Sequence, residues 1–125
     1  MTLSPFDASF SRWKDGELMG GVVYQRYTHS SVLMHVASFM PNWLCRDLLW
    51  LVFHYPFVQL GVGRVFGLVH EKNDEALTFD RKLGFEIETR IRKVYPDGDQ
   101  IVLVMERDTC RWLKLEPRYM RSNRG

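Results

Sequence analysis

The stretch that decides the fold is "NDEALTFDRKLGF", residues 73–85. Asn73 carries a side-chain oxygen that can accept from the free N–H groups at a helix start. Gly84 supplies the left-handed exit that ends many helices, and Phe85 the hydrophobic contact just beyond it. Arg81 and Lys82 fall in the last turn, where positive charge complements the helix dipole. Between the caps, Ala76, Phe79 and Leu83 recur on one face at helical spacing. Asp80 lies on that same face. A carboxylate among core residues is costly if charged and unpaired. Asp80 therefore either pairs with a base such as Arg46 or Arg64, or has a raised pKa and serves as an acid.

Upstream, "RVFGLVH" (64–70) is a short apolar run suited to a buried strand. It follows "PNWLCRDLLWLVFHYPF" (41–57), where Asn42 can cap a helix starting at Trp43. That helix is apolar around most of its circumference and should be largely buried. Pro56 should stop it, because the residue before a proline avoids helical dihedrals. "ELMGGVVYQRY" (17–27) and "SVLMHVASF" (31–39) are rich in β-formers, with "THSS" as the turn of an antiparallel hairpin. Strand, helix and strand from 31 to 70 make a βαβ crossover with a parallel pair. Downstream, "EIETRIRKVY" and "QIVLVMER" alternate around "PDGD", a second hairpin. Residues 1–15 give weak signals, compatible with one short helical turn, and "DTCRWLKLE" reads as a short terminal helix. The order is β-β-α-β-α-β-β, a mixed sheet with two helices of α/β or α+β type. It divides into an N-terminal extension (1–16), one domain (17–116) and a basic tail (117–125).

The 125 residues suffice for one domain with a real core, and 46% hydrophobic against 26% charged is an ordinary globular balance. No apolar run reaches the ~18 residues of a membrane span, and the start lacks the apolar region of a signal peptide. Cys45 and Cys110 follow no metal or redox spacing and read as reduced thiols of a cytoplasmic protein. No His, Cys, Asp or Glu set has metal-ligand spacing, and no Ser-His-Asp arrangement is readable. The net charge of +2 is uneven: the chain from Arg111 onward carries +4. That tail reads as a solvated terminus rather than a nucleic-acid contact.

Asn73, Ala76, Leu83, Gly84 and Phe85 fit the pattern N-x-x-A-x-x-x-Y-x-x-x-G-F, and in this the chain resembles the GNAT superfamily of N-acetyltransferases over residues 17–106. "GGVVY", "MHVA", "NWL", "QLG", "KLGF" and "CRWL" are similar to small acetyltransferase-like proteins of bacteriophages and prophages. The resemblance implies an abbreviated form of that fold in which the strands at 31–38 and 64–70 splay apart. Acetyl-CoA would enter the gap as co-substrate, and the acetyl group would pass directly to an amine acceptor, a protein or a small molecule, with no metal. The physics agrees: ligands bind at the C-terminal ends of parallel strands, and a helix N-terminus there favours a pyrophosphate.

By the same resemblance the candidate cofactor-binding residues are Val36, Ala37, Asn42, Trp43, Leu44, Arg46, His70, Asn73 and Phe79. The Val36 N–H would stabilise the oxyanion, Arg46 would add charge, and Asn73 would contact the pantetheine arm as well as cap its helix. The candidate catalytic residues are His35, whose usual pKa of about 6.5 suits a base, and Asp80, which stands where the family has a proton-donating tyrosine. For His35 the competing reading is a satisfied core histidine. Three departures matter. The family's phosphate loop aligns with residues 40–45, where both glycine positions are filled and Trp43 either covers the nucleotide or plugs the site. Asp80 replaces the tyrosine. Only about 16 residues precede the first clear strand, so either those residues shape the acceptor pocket themselves or a second subunit completes it in a homodimer. The alternative is a non-catalytic GNAT-like binding or virion-associated module.

Overall fold

The computed structural model describes residues 8–40 and 43–117. Six strands form one mixed sheet: β1 (Ala8–Lys14), β2 (Glu17–Gln25), β3 (Ser31–Ser38), β4 (Arg64–His70), β5 (Glu86–Tyr95) and β6 (Gly98–Glu106), in the spatial order β1-β2-β3-β4-β6-β5. Helix α1 (Arg46–His54) links β3 to β4, and α2 (Asp74–Leu83) links β4 to β5. Among the described residues only the β3–β4 pair is parallel. The mixed sheet with two helices is as expected, with one strand more.

The extra strand corrects the reading of residues 8–14; residues 1–7 lie outside the described ones. Ala8–Lys14 is not a helical turn but pairs antiparallel with β2 through the tight turn Asp15-Gly16. Both turn residues have positive φ, 52° and 80°. That is the geometry whose twist matches a hairpin and for which Asp-Gly is favoured. The segment read as a terminal helix is two 3₁₀ turns, Arg107–Thr109 and Arg111–Lys114. They fasten the end of α2: the Trp112 indole N–H donates to the Leu83 carbonyl (2.7 Å), and Arg111 donates to that of Lys82. Those carbonyls have no partner inside the helix.

Pairing and alternation put both helices on one face of the sheet. Val32, Met34, Val65, Val69, Ile101, Leu103 and Met105 share a core cluster with Phe53, Phe57, Leu83 and Phe85. Leu33 and Val104 are also buried but stand outside that cluster, on the opposite face. Among the described residues that second face carries no helix.

Two expectations about α1 fail. It begins at Arg46, not Trp43, with Cys45 as an extended N-cap residue that makes no side-chain capping bond. Nor does Pro56 end it. The chain continues as a π-helical turn over Tyr55–Gln59, in which the Leu60 N–H reaches the Tyr55 carbonyl at 2.9 Å. A proline has no N–H to offer the carbonyl four residues back, here that of Val52. The Tyr24 hydroxyl, buried in β2, donates to that carbonyl instead. Burial holds the Tyr24 pKa well above the usual phenol range, so the hydroxyl keeps its proton. Winding past a proline is tolerated because a side chain from the sheet replaces the missing donor.

Replacing that donor should be costly. Tyr24→Phe leaves the Val52 carbonyl buried and unpaired and should destabilise the chain by about 1–3 kcal/mol. In a Pro56→Ala background, where a backbone N–H is restored, the same change should cost less. Urea denaturation of the four variants measures the coupling, and additive effects would refute the substitution of one donor for another.

Candidate active site

The site is a fork. β3 and β4 pair only at Ser31–Arg64, Val32–Val65 and Leu33–Phe66. Beyond Leu33, β3 runs on to Ser38 bonded to β2 alone, and beyond Phe66, β4 runs on to His70 bonded to β6 alone. The expected splay is present. The gap opens into a cleft of about 870 Å³ whose third wall is α2. Its lining alternates: Met34 and Val36 belong to the helix-bearing face, His35 and Leu68 to the helix-free one. The cleft therefore reaches through the sheet.

Asp80 lines the cleft half-buried, and among the described residues its carboxyl has no hydrogen-bond or ion-pair partner. Arg64 is engaged with Glu106 at 2.9 Å. Gly67 of β4 leaves room for Asp80: a Cβ there would sit 4.0 Å from its Oδ2. Burial pushes the Asp80 pKa up to about 6. His35 is not a core histidine. It is exposed on the helix-free face, two residues beyond the last β3–β4 pair. Desolvation by the cleft walls and, secondarily, the Arg26 charge lower its pKa, which favours the neutral ring.

His70 also lines the cleft, but both its nitrogens are occupied. Nδ1 accepts from the Lys72 N–H at 3.0 Å, so the ring proton is on Nε2, which donates to Asp97 at 2.8 Å. The ring stacks on Tyr95 with centroids 4.4 Å apart. His70 is thus a fixed wall, and its hydrogen bond holds the Asp97 carboxyl below the usual range. Asn73 caps α2, accepting from the Ala76 N–H at 3.1 Å, and faces the cleft with Phe79. Behind them Arg90 bridges Glu71 (3.0 Å) and Asp99 (3.1 Å), tying the β5–β6 hairpin to the loop that starts α2.

The other candidates fall elsewhere. Ala37 is exposed beside the lining residues Val36 and Ser38. Asn42 lies outside the described residues. Trp43 neither covers nor plugs the cleft. It is 3% exposed in the core, stacked so closely over Gly20 that a Cβ there would fall 2.3 Å from the indole. Its carbonyl accepts from Arg12 at 2.6 Å. Leu44 packs against the core, and Arg46 is exposed at the head of α1. Sequence reasoning passed over Gly67, Leu68, Ser38 and Thr78, all in the lining. For Gly67 and Leu68 the signal was available, since a strand that ends in a fork shows both faces to it. Among the described residues no helix is long and apolar enough to cross a membrane.

No protein-family profile and no curated protein matches the chain. Solved structures do. The Campylobacter jejuni N-acetyltransferase PseH, in complex with acetyl coenzyme A, matches with a TM-score of 0.62 at 19% identity, covering 83% of this chain and 70% of that one. The spermidine/spermine N-acetyltransferase SpeG of Vibrio cholerae gives 0.66 at 17%, covering 82% and 66%. A GNAT-family acetyltransferase from Bacillus anthracis gives 0.61 at 14%, covering 74% and 60%. The chain has a GNAT-like fold.

The buried carboxyl makes a stability prediction. A folded pKa raised from 3.8 to about 6 stabilises the fold fully below pH 3.8, and that contribution is lost as pH rises through 6. Asp80→Asn should therefore stabilise the chain at pH 8, by about 1–2 kcal/mol once the solvent-open side of the cleft is allowed for, and much less at pH 4.5. Thermal unfolding at both pH values measures it. An equal change at both would mean that Asp80 is not desolvated.

Proposed function

We propose that the chain is an N-acetyltransferase that passes an acetyl group from acetyl-CoA directly to an amine across the fork. The observation that carries this reading is the through-sheet gap, with Asp80 on one face and His35 on the other. Past Leu33 the free edge of β3 offers backbone N–H and C=O groups that β4 no longer takes. The amides of a pantetheine arm can add there as a short strand. Arg46, exposed at the α1 start, supplies positive charge for the phosphates.

The chemistry then needs little more than placement. The amine nitrogen attacks the thioester carbon, and the carbonyl oxygen, becoming an oxyanion, is stabilised by the Val36 N–H. Neutral His35 takes the amine's proton. The C–S bond breaks, and protonated Asp80 returns a proton to the departing thiolate. The environments suit these roles, since one keeps an imidazole neutral and the other keeps a carboxyl protonated up to about pH 6. The resemblance to phage-encoded proteins supports a place in a host cytoplasm.

A second reading, a GNAT-like binding module without turnover, draws on one observation: Trp43 stands where a glycine would let phosphate approach, and it is locked in the core.

Melting curves separate the two. Acetyl-CoA at 100 times its dissociation constant should stabilise the chain by about 2.7 kcal/mol; no shift at saturation sinks the transferase. With acceptor present, His35→Ala and Asp80→Asn should each slow CoA release by about 10²–10⁴. The wild-type rate should fall above pH ~6 as Asp80 ionises, and that limb should be missing in Asp80→Asn. Unaltered rates in both variants would refute the assignment of base and acid.

A further inference from the structure

The helix-free face of the fork differs in chemistry from the helix-bearing one. The carboxylates that line the cleft, Asp74, Glu75 and Asp80, all belong to α2, on the helix-bearing side. On the other face, counting outward from the Leu33–Phe66 pair, β3 presents His35 then Ala37, and β4 presents Leu68 then His70. Val102 and Val104 of β6 continue the surface beside Leu68 and Phe66. At its margins Glu106 is matched by Arg64 at 2.9 Å and Asp97 by His70 at 2.8 Å, while Glu86, beside Val104 on the outer strand β5, is free. The Arg26 charge acts on His35.

Resting on the transferase reading, we propose that the acceptor is a primary amine on an uncharged apolar body, lying on Phe66 and Leu68 with its nitrogen at His35. A polyamine would bring a second cation to a patch, Phe66, Leu68, Val102 and Val104, that carries no carboxylate among the described residues, with the free Glu86 two strands from β4 and the Arg26 charge acting on His35, so it finds no partner beside the reacting nitrogen. An aryl or alkyl body instead covers half-buried apolar side chains that no helix covers among the described residues. Leu68 faces His35 across the gap, so it touches the carbon next to the reacting nitrogen and sets selectivity.

The test is calorimetric titration of the full chain with 2-phenylethylamine and with spermidine, in the presence of CoA. The apolar amine should bind about tenfold or more tightly than spermidine. Leu68→Glu, which places a carboxylate opposite His35, should reverse that order, while Leu68→Ala should weaken 2-phenylethylamine about tenfold and leave spermidine unchanged. Tighter spermidine binding in the wild type, no measurable binding of either amine, or an unchanged ratio in both variants would overturn the proposal. The transferase reading is judged separately, by the acetyl-CoA melting shift, so either can fail without the other.

Discussion

Everything in the molecule depends on three residue pairs. Among the described residues Ser31–Arg64, Val32–Val65 and Leu33–Phe66 are the only ladder joining two half-sheets, β1-β2-β3 and β4-β6-β5. So short a parallel pairing would not hold by hydrogen bonds alone, each worth about 1 kcal/mol net. It holds because the closed end of the fork sits on dry core, where Val32, Phe57, Val62 and Val65 are at most 1% exposed. The Gly63 N–H also reaches the Ser30 carbonyl at 3.0 Å, pinning the entry to β4 against the start of β3. At the open end the freed backbone groups border a cleft rather than dry core, so they escape the cost of burial without a partner. Hydrophobic fastening at one end permits separation at the other.

The same logic explains why the crossing segment is aromatic and oddly wound. It must touch both half-sheets. Tyr24 of β2 meets Phe10 of β1 at 5.9 Å between ring centroids and Tyr55 of the π turn at 5.1 Å, while Phe53 reaches Phe85, just before β5, at 6.2 Å. Tyr24 also takes over the Val52 carbonyl that Pro56 cannot serve. One phenol thus packs, bonds and permits the wider turn, and the chain returns to β4 without leaving a buried acceptor unpaired.

The parts of this fold legible in the sequence are those set by neighbours along the chain. The Asn73 cap, the Gly84 exit (φ 114°) and the β5–β6 hairpin need only local chemistry and stand as read, although β5 is exposed along nearly its whole length and does not alternate in burial. The Asp15-Gly16 hairpin was equally local, but its first strand, "ASFSRWK", has serines and an arginine that dilute the β signal. What stayed hidden was tertiary. Nothing near Pro56 announces that a tyrosine 32 residues earlier will accept its consequences. Nothing near Trp43 says that Gly20 will make room for an indole, so a residue aligned with a phosphate loop became core. Asp80 was visible as an anomaly, but its lack of an ion pair could be known only once Arg64 was seen with Glu106.

The two titrating residues at the fork show why a sheet, and not an open pocket, suits this site. Had His35 and Asp80 faced each other, each would have favoured the other's charge, raising the imidazole and lowering the carboxyl. Both shifts run the opposite way. That is the behaviour of groups that are desolvated separately and do not neutralise one another. The strands keep them on opposite faces, one beside Gly67 under α2, the other on the helix-free side. An imidazole biased towards its neutral form and a carboxyl biased towards its protonated form therefore border one gap, the combination that the proposed transfer would use and a collapsed ion pair would forbid.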